Sequence, residues 1–164
     1  MKWIKFCLWV SISLVVYACS FPQSALQATN SSPTNGIAEA KVRIVIEDFG
    51  KTLKTVSLQS PIANDEMKDN YSPYVTPELL EKWMNDLSKA PGRIVSSPWP
   101  DRIEIITLTK QTSNEYFVTG DIVEVTSVEV VNGGAANKIP VHITVANIQG
   151  NWLITKYEQE SYQP

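Results

Sequence analysis

The chain reads as an α+β protein, with N-terminal helices packed on a curved four-stranded antiparallel sheet. Three observations predict this. Apolar residues in the first half of the folded region recur at spacings of three and four, the signature of helices. In the second half they alternate with period two, in runs bounded by Gly, Asn and Pro. Helices first, then strands joined by short turns, is the α+β arrangement, and short connections between consecutive strands make the sheet a meander.

Bulk properties allow one domain. The chain has 164 residues, of which 43% are hydrophobic and 19% charged, an ordinary globular composition. From Ala38 onward it has length enough to bury about two-thirds of its unfolded surface. Lys2 and Lys5 lie in an N-terminal segment that holds no acidic residue. Without that segment 12 basic residues stand against 17 acidic ones, a net charge of −5. No basic stripe marks a nucleic-acid partner.

The segment MKWIKFCLWVSISLVVYACS has the layout of an export signal: two lysines, then an apolar run from Phe6 to Ala18. A membrane-spanning helix needs about 20 apolar residues, more than this run supplies. Val16-Tyr17-Ala18-Cys19 resembles the lipobox of bacterial lipoproteins. The resemblance implies a signal peptide over residues 1–18 and a mature N-terminus at Cys19 bearing acyl chains, palmitate among them. Two or more such chains hold a protein on the membrane where one is marginal. The alternatives are a secreted protein cut at a nearby small residue, or an uncleaved anchor. Residues 19–37 then form the lipidated cysteine and a tether, since the stretch from Ser20 to Gly36 carries no charge and little apolar surface. The expected location is the extracytoplasmic face of the cell membrane. Cys7 and Cys19 are the only cysteines, so the domain over residues 38–164 has no disulfide and no thiol nucleophile.

In AKVRIVIEDFGKTLKTVSL, Val42, Val45, Ile46, Phe49, Leu53 and Val56 form one helical apolar face. Gly50 costs a helix about 1 kcal/mol relative to alanine. The spacing continues past it, so the helix is expected to run through. Ala63 to Tyr71 reads as a short helix or turn. The sharpest local signal is YVTPELLEKWMNDL, with Thr76 as N-cap, Pro77 at the first helical position and Glu78 in the first turn. Leu79, Leu80, Trp83, Met84 and Leu87 form its buried stripe, and Pro91-Gly92 stops it.

Arg102 to Lys110 reads as the first strand. The longest is expected from Glu115 to Val131, EYFVTGDIVEVTSVEVV, with a bulge or bend at Gly120 and Asp121. Residues 132–137 form a loop. Pro140 opens a strand that runs to Ile148, and Gln149-Gly150-Asn151 turns into the last, Trp152 to Glu158.

This order of elements, with its Val-Thr-Pro-Glu-Leu helix and closing Gly-Asn-Trp-Leu-Ile-Thr hairpin, resembles the nuclear transport factor 2-like (cystatin-like) cone over Ala38 to Glu158. The resemblance implies a sheet curled around the helices to make a conical pocket. It implies isomerase, cyclase or dehydratase chemistry in some members, and binding, dimerising or accessory roles in many. None of the enzymes' catalytic residues maps onto this chain.

Chemistry-bearing residues are few. His142 is the only histidine. A general acid/base role requires it to face the pocket beside a carboxylate, Glu124 or Glu104; the plainer reading is an outward strand residue beside Thr144. Asp121 and Glu124 make an acid/base pair only if a bulge aims both inward. There is no phosphate-binding glycine loop, no metal-spaced His/Cys cluster and no nucleophile elbow, so no cofactor is expected.

Core packing explains least the stretch Ala90 to Arg102, APGRIVSSPWPDR. Pro98 and Pro100 pre-order Trp99, so Arg93, Trp99, Asp101 and Arg102 are the candidate binding residues. In the plainer reading Trp99 plugs the core, Arg93 caps the preceding helix and Asp101 pairs with Arg102. The expected function is therefore a lipid-anchored, non-catalytic module that binds a protein or a small molecule. The alternative is a pocket enzyme of the isomerase, cyclase or hydrolase type using His142. A homodimer through the outer face of the sheet would require apolar residues there.

Overall fold

The computed structural model describes residues 33–160. The expected signal peptide, Cys19 and the tether as far as residue 32 lie outside these residues, as do residues 161–164. Helix α1 spans Pro33–Thr52 and tightens into a 3₁₀ turn at Leu53–Thr55. Helices α2, Ala63–Tyr71, and α3, Pro77–Asn85, follow. Strands β1, Trp99–Thr112, and β2, Glu115–Val125, lead into a short helix α4, Ser127–Asn132. Strands β3, Asn137–Ile148, and β4, Asn151–Gln159, complete the chain. The strands form one antiparallel sheet in the order β1-β2-β3-β4, the expected meander.

The helices cover one face of the sheet. Val42, Ile46 and Phe49 of α1 and Trp83 of α3 pack on Val118, Ile143 and Ile154, all fully or almost fully buried. Rings fill the space between: Phe49 stacks on Trp83 with centroids 6.2 Å apart, and Tyr71 and Tyr157 meet Trp83 edge-on at 5.9 and 5.5 Å. Helix α3 starts as its sequence demands, with the Thr76 hydroxyl accepting from the Leu79 backbone N–H and Pro77 in the first turn.

The structure departs from the sequence reading at several points, among them the start of β3 at Asn137 rather than Pro140. Strand β2 ends at Val125, and the run to Val131 turns helical. The cause is local: Glu129 Oε2 accepts from both the backbone N–H (2.8 Å) and the hydroxyl (2.5 Å) of Thr126, whose Oγ1 accepts from the Val128 N–H at 3.1 Å. This Thr-x-x-Glu cap stabilises a helical turn within a β-branched run. Strand β1 begins at Trp99, not Arg102, because Trp99 and Pro100 pair with Val125 and Glu124. Helix α1 begins at Pro33 rather than Ala38. The irregularity expected at Gly120 falls on the partner strand, between Ile105 and Thr107, leaving Ile106 extra and 65% exposed. Gly120 permits the close approach, since a Cβ there would lie 2.5 Å from the Glu104 carbonyl oxygen.

Both sheet edges are managed. Irregularities at Asp101, Ile106 and Gln111 interrupt β1, the first edge, at steady intervals. Such bulges twist an edge away from pairing with another chain. On β4, Ile154 exchanges backbone hydrogen bonds with Tyr74 and Thr76, which cover that edge at its middle.

Candidate functional site

Strand alternation sorts the sheet into two faces. Val141, Ile143 and Val145 face the helices, so His142 and Thr144 of β3 face outward. His142 stacks on Phe117 of β2, ring centroids 5.9 Å apart. Glu124 pairs with Asn137, five positions along β3 from His142, roughly 16 Å at strand spacing. Its carboxylate accepts from Asn137 Nδ2 at 2.9 Å. The fold therefore does not bring His142 and Glu124 together, and neither joins a pocket inside the cone.

Of the carboxylates near His142's strand, Glu104 and Asp121 are already engaged, whereas Glu158 of β4 stands directly opposite His142 in the strand register. Glu104 accepts from Arg102 at 2.6 Å and from Lys138 at 2.6 Å, and Asp121 lies 3.9 Å from the same ammonium. The Lys138 and Arg102 hydrogen bonds hold the Glu104 carboxyl below the usual carboxylate range. Asp101 joins the cluster through Arg102 and Lys54, each at 3.3 Å. These groups neutralise one another at the surface, which leaves no free acid/base pair among them. With Thr107, Thr119 and Thr144 on the same face, the outer surface is polar through its middle.

The Ala90 to Arg102 stretch is ordered by backbone contacts. Arg93 does not cap a helix; its N–H donates to the Val56 carbonyl (2.8 Å) and its own carbonyl accepts from Leu58 (2.9 Å). Tyr71 Oη donates to the Pro91 carbonyl at 2.9 Å. Burial pushes the Tyr71 hydroxyl well above its ordinary value, with the Glu66 charge adding to the effect. Asp101 does pair with Arg102, as in the plainer reading. Trp99 does not plug the core: it is half-buried on the outer face, opposite Val125.

At this end of the sheet the crossover enters β1 and β2 passes into α4. Ile94 and Val95 of the crossover and Val128, Val130 and Val131 of α4 are exposed, Val131 at 82%. Sequence reasoning missed the α4 valines by assigning them to a strand, although Thr126-x-x-Glu129 was available as the signal of a helix start. Among the described residues no three His, Cys, Asp or Glu side chains converge to hold a metal, and no helix is long and apolar enough to cross a membrane.

No family model matches the chain, and no curated protein does. Among solved structures it is similar to a protein of unknown function from Bacteroides thetaiotaomicron, at 16% identity and a TM-score of 0.45, over 75% of this chain and 92% of that one. It is also similar to the NTF2-like designed protein Rd1NTF2_05, at 17% identity and a TM-score of 0.34, over 72% of this chain and 95% of that one.

Proposed function

We propose that the chain is a membrane-anchored extracytoplasmic lipoprotein of nuclear transport factor 2-like architecture, whose domain is a non-catalytic module that binds a protein partner. The observation that carries the binding reading is the contrast between a ring-filled interior and the exposed aliphatic side chains of the crossover that leads to Trp99 and of α4 that follows β2. Exposed aliphatic and aromatic side chains of this kind are the material of an interface. Its backbone is tied down on both sides of the crossover, so little ordering entropy opposes docking. The chain enters the domain at the start of α1, whereas the end of α1 lies beside β1, with Lys54 on Asp101. The apolar end is thus about 30 Å of helix away from the point of attachment. The anchor rests on Val16-Tyr17-Ala18-Cys19.

Two measurements on the full-length protein test this. Cys19→Ala should move it from the membrane fraction to the soluble one and abolish fatty-acid labelling; a variant that stays labelled and membrane-bound refutes the anchor. A photo-crosslinker at Val95 should capture a defined partner in cells, and Trp99→Ala with Val131→Asp should remove that adduct. An unchanged adduct pattern in the double variant would sink the docking assignment.

A further inference from the structure

The outer face of the sheet carries charge of two kinds. Around Glu104 the charges satisfy one another. Farther along, Glu115, Lys156 and Glu158 line a shallow groove of about 480 Å³ and make no ion pair or side-chain hydrogen bond among the described residues. That volume lies within the range of roughly 300–1,000 Å³ of small-ligand sites. The Phe117–His142 ring pair, with planes 11° from parallel, lies among these groups. His142 Nδ1 is buried there with no hydrogen-bond partner. A buried polar atom left unpaired is a standing cost, and in native proteins such atoms call for a reason.

The lining selects a ligand class by elimination. No three side chains converge as metal ligands among the described residues. Glu115 and Glu158 against one ammonium disfavour an anion, and Lys156 beside the two carboxylates offsets half of their attraction for a cation. Gln111 and Thr144 add groups that both donate and accept. Donors and acceptors together around a pair of stacked rings complement a neutral ligand whose hydroxyls do both and whose C–H surface lies on the rings. We propose that the Phe117–His142 groove is a saccharide-binding site. It is independent of the anchor and of the surface around Trp99.

Because His142 is the only histidine, its ring signals in the NMR spectrum of the full-length protein report this groove alone. Cellobiose, maltose and N,N′-diacetylchitobiose are the probes, with tetramethylammonium and inorganic phosphate as controls. At least one disaccharide should shift the His142 ring signals saturably. Lys156→Gln and Glu158→Gln, substitutions at exposed positions, should each weaken that binding by about tenfold, the loss of one hydrogen bond to a charged group. Silence with all three disaccharides overturns the site. A response to tetramethylammonium or phosphate alone overturns the ligand class, and saturation unaffected by both substitutions overturns the residue assignment.

Discussion

Gly50 and Ile103 hold α1 against β1 at backbone distance: a Cβ on Gly50 would stand 2.6 Å from the Ile103 backbone nitrogen. The glycine that weakens the helix locally is what lets it seat on the sheet. Gly50→Ala should therefore destabilise the domain by about 1–3 kcal/mol through overpacking, despite the gain of about 1 kcal/mol in helix propensity. Urea unfolding measures the difference. An unchanged or higher midpoint would mean that the helix shifts freely and that the contact does not constrain it.

The turn from β2 into α4 depends on Thr126. Replacing it with alanine removes the acceptor for the Val128 N–H and the hydroxyl bound by Glu129. The expected loss is about 1 kcal/mol, with faster amide exchange confined to residues 127–132 while β2 stays protected. Faster exchange throughout β2 would show that the cap supports the sheet as well as the helix.

Glu104 should give the domain an acid-sensitive increment of stability. Its carboxyl is held below its ordinary value of 4.5 by Lys138 and Arg102. The increment is fully present above that value and is lost as the pH falls through the lower value of the folded state. For pairs this exposed it amounts to no more than about 1 kcal/mol after solvent screening. Glu104→Gln should therefore be less stable at neutral pH, and its deficit should shrink below the ordinary carboxylate value. Parallel stability–pH curves for the two proteins would contradict the assignment.

Tyr71 ties the crossover to the core through the Pro91 carbonyl. Tyr71→Phe should cost about 1–3 kcal/mol by leaving that buried carbonyl without its donor. Tyr71 and Tyr157 are both raised above the ordinary value of 10.0, chiefly by burial. A group raised in this way contributes stability that is complete below its unfolded value and declines as pH rises beyond it. Alkaline unfolding should accordingly begin above pH 10 with release of both phenols, followed by ultraviolet absorbance. Phenolate formation in the native state at the ordinary value would disprove their burial.

Much of this architecture was legible in the chain. The Thr76-Pro77 helix start, the period-two strands and the Gln149-Gly150 turn each rest on chemistry within a few residues, and each appears in the fold. The outward aspect of His142 was legible too, because Val141, Ile143 and Val145 claim the other face. The α4 valines were misassigned because β-branched composition was weighed above a two-residue cap, which prevails once its hydrogen bonds are made.

The candidate sites depended on something that local chemistry does not encode. Pairing Trp99 with Val125, and Phe117 with Thr144 beside His142, is a matter of register between strands, and shifting a strand by one residue exchanges its faces. The amino-acid order alone determines the acidic balance and, apart from α4, the succession of helices and strands, since each of these is a property of neighbouring residues. Packing of α1 and α3 on the sheet settles the register. It thereby determines that Glu104 is neutralised by Lys138 while Glu115, Lys156 and Glu158 are left around a stacked Phe117–His142 pair, because only distant residues brought together can satisfy, or fail to satisfy, one another's charge.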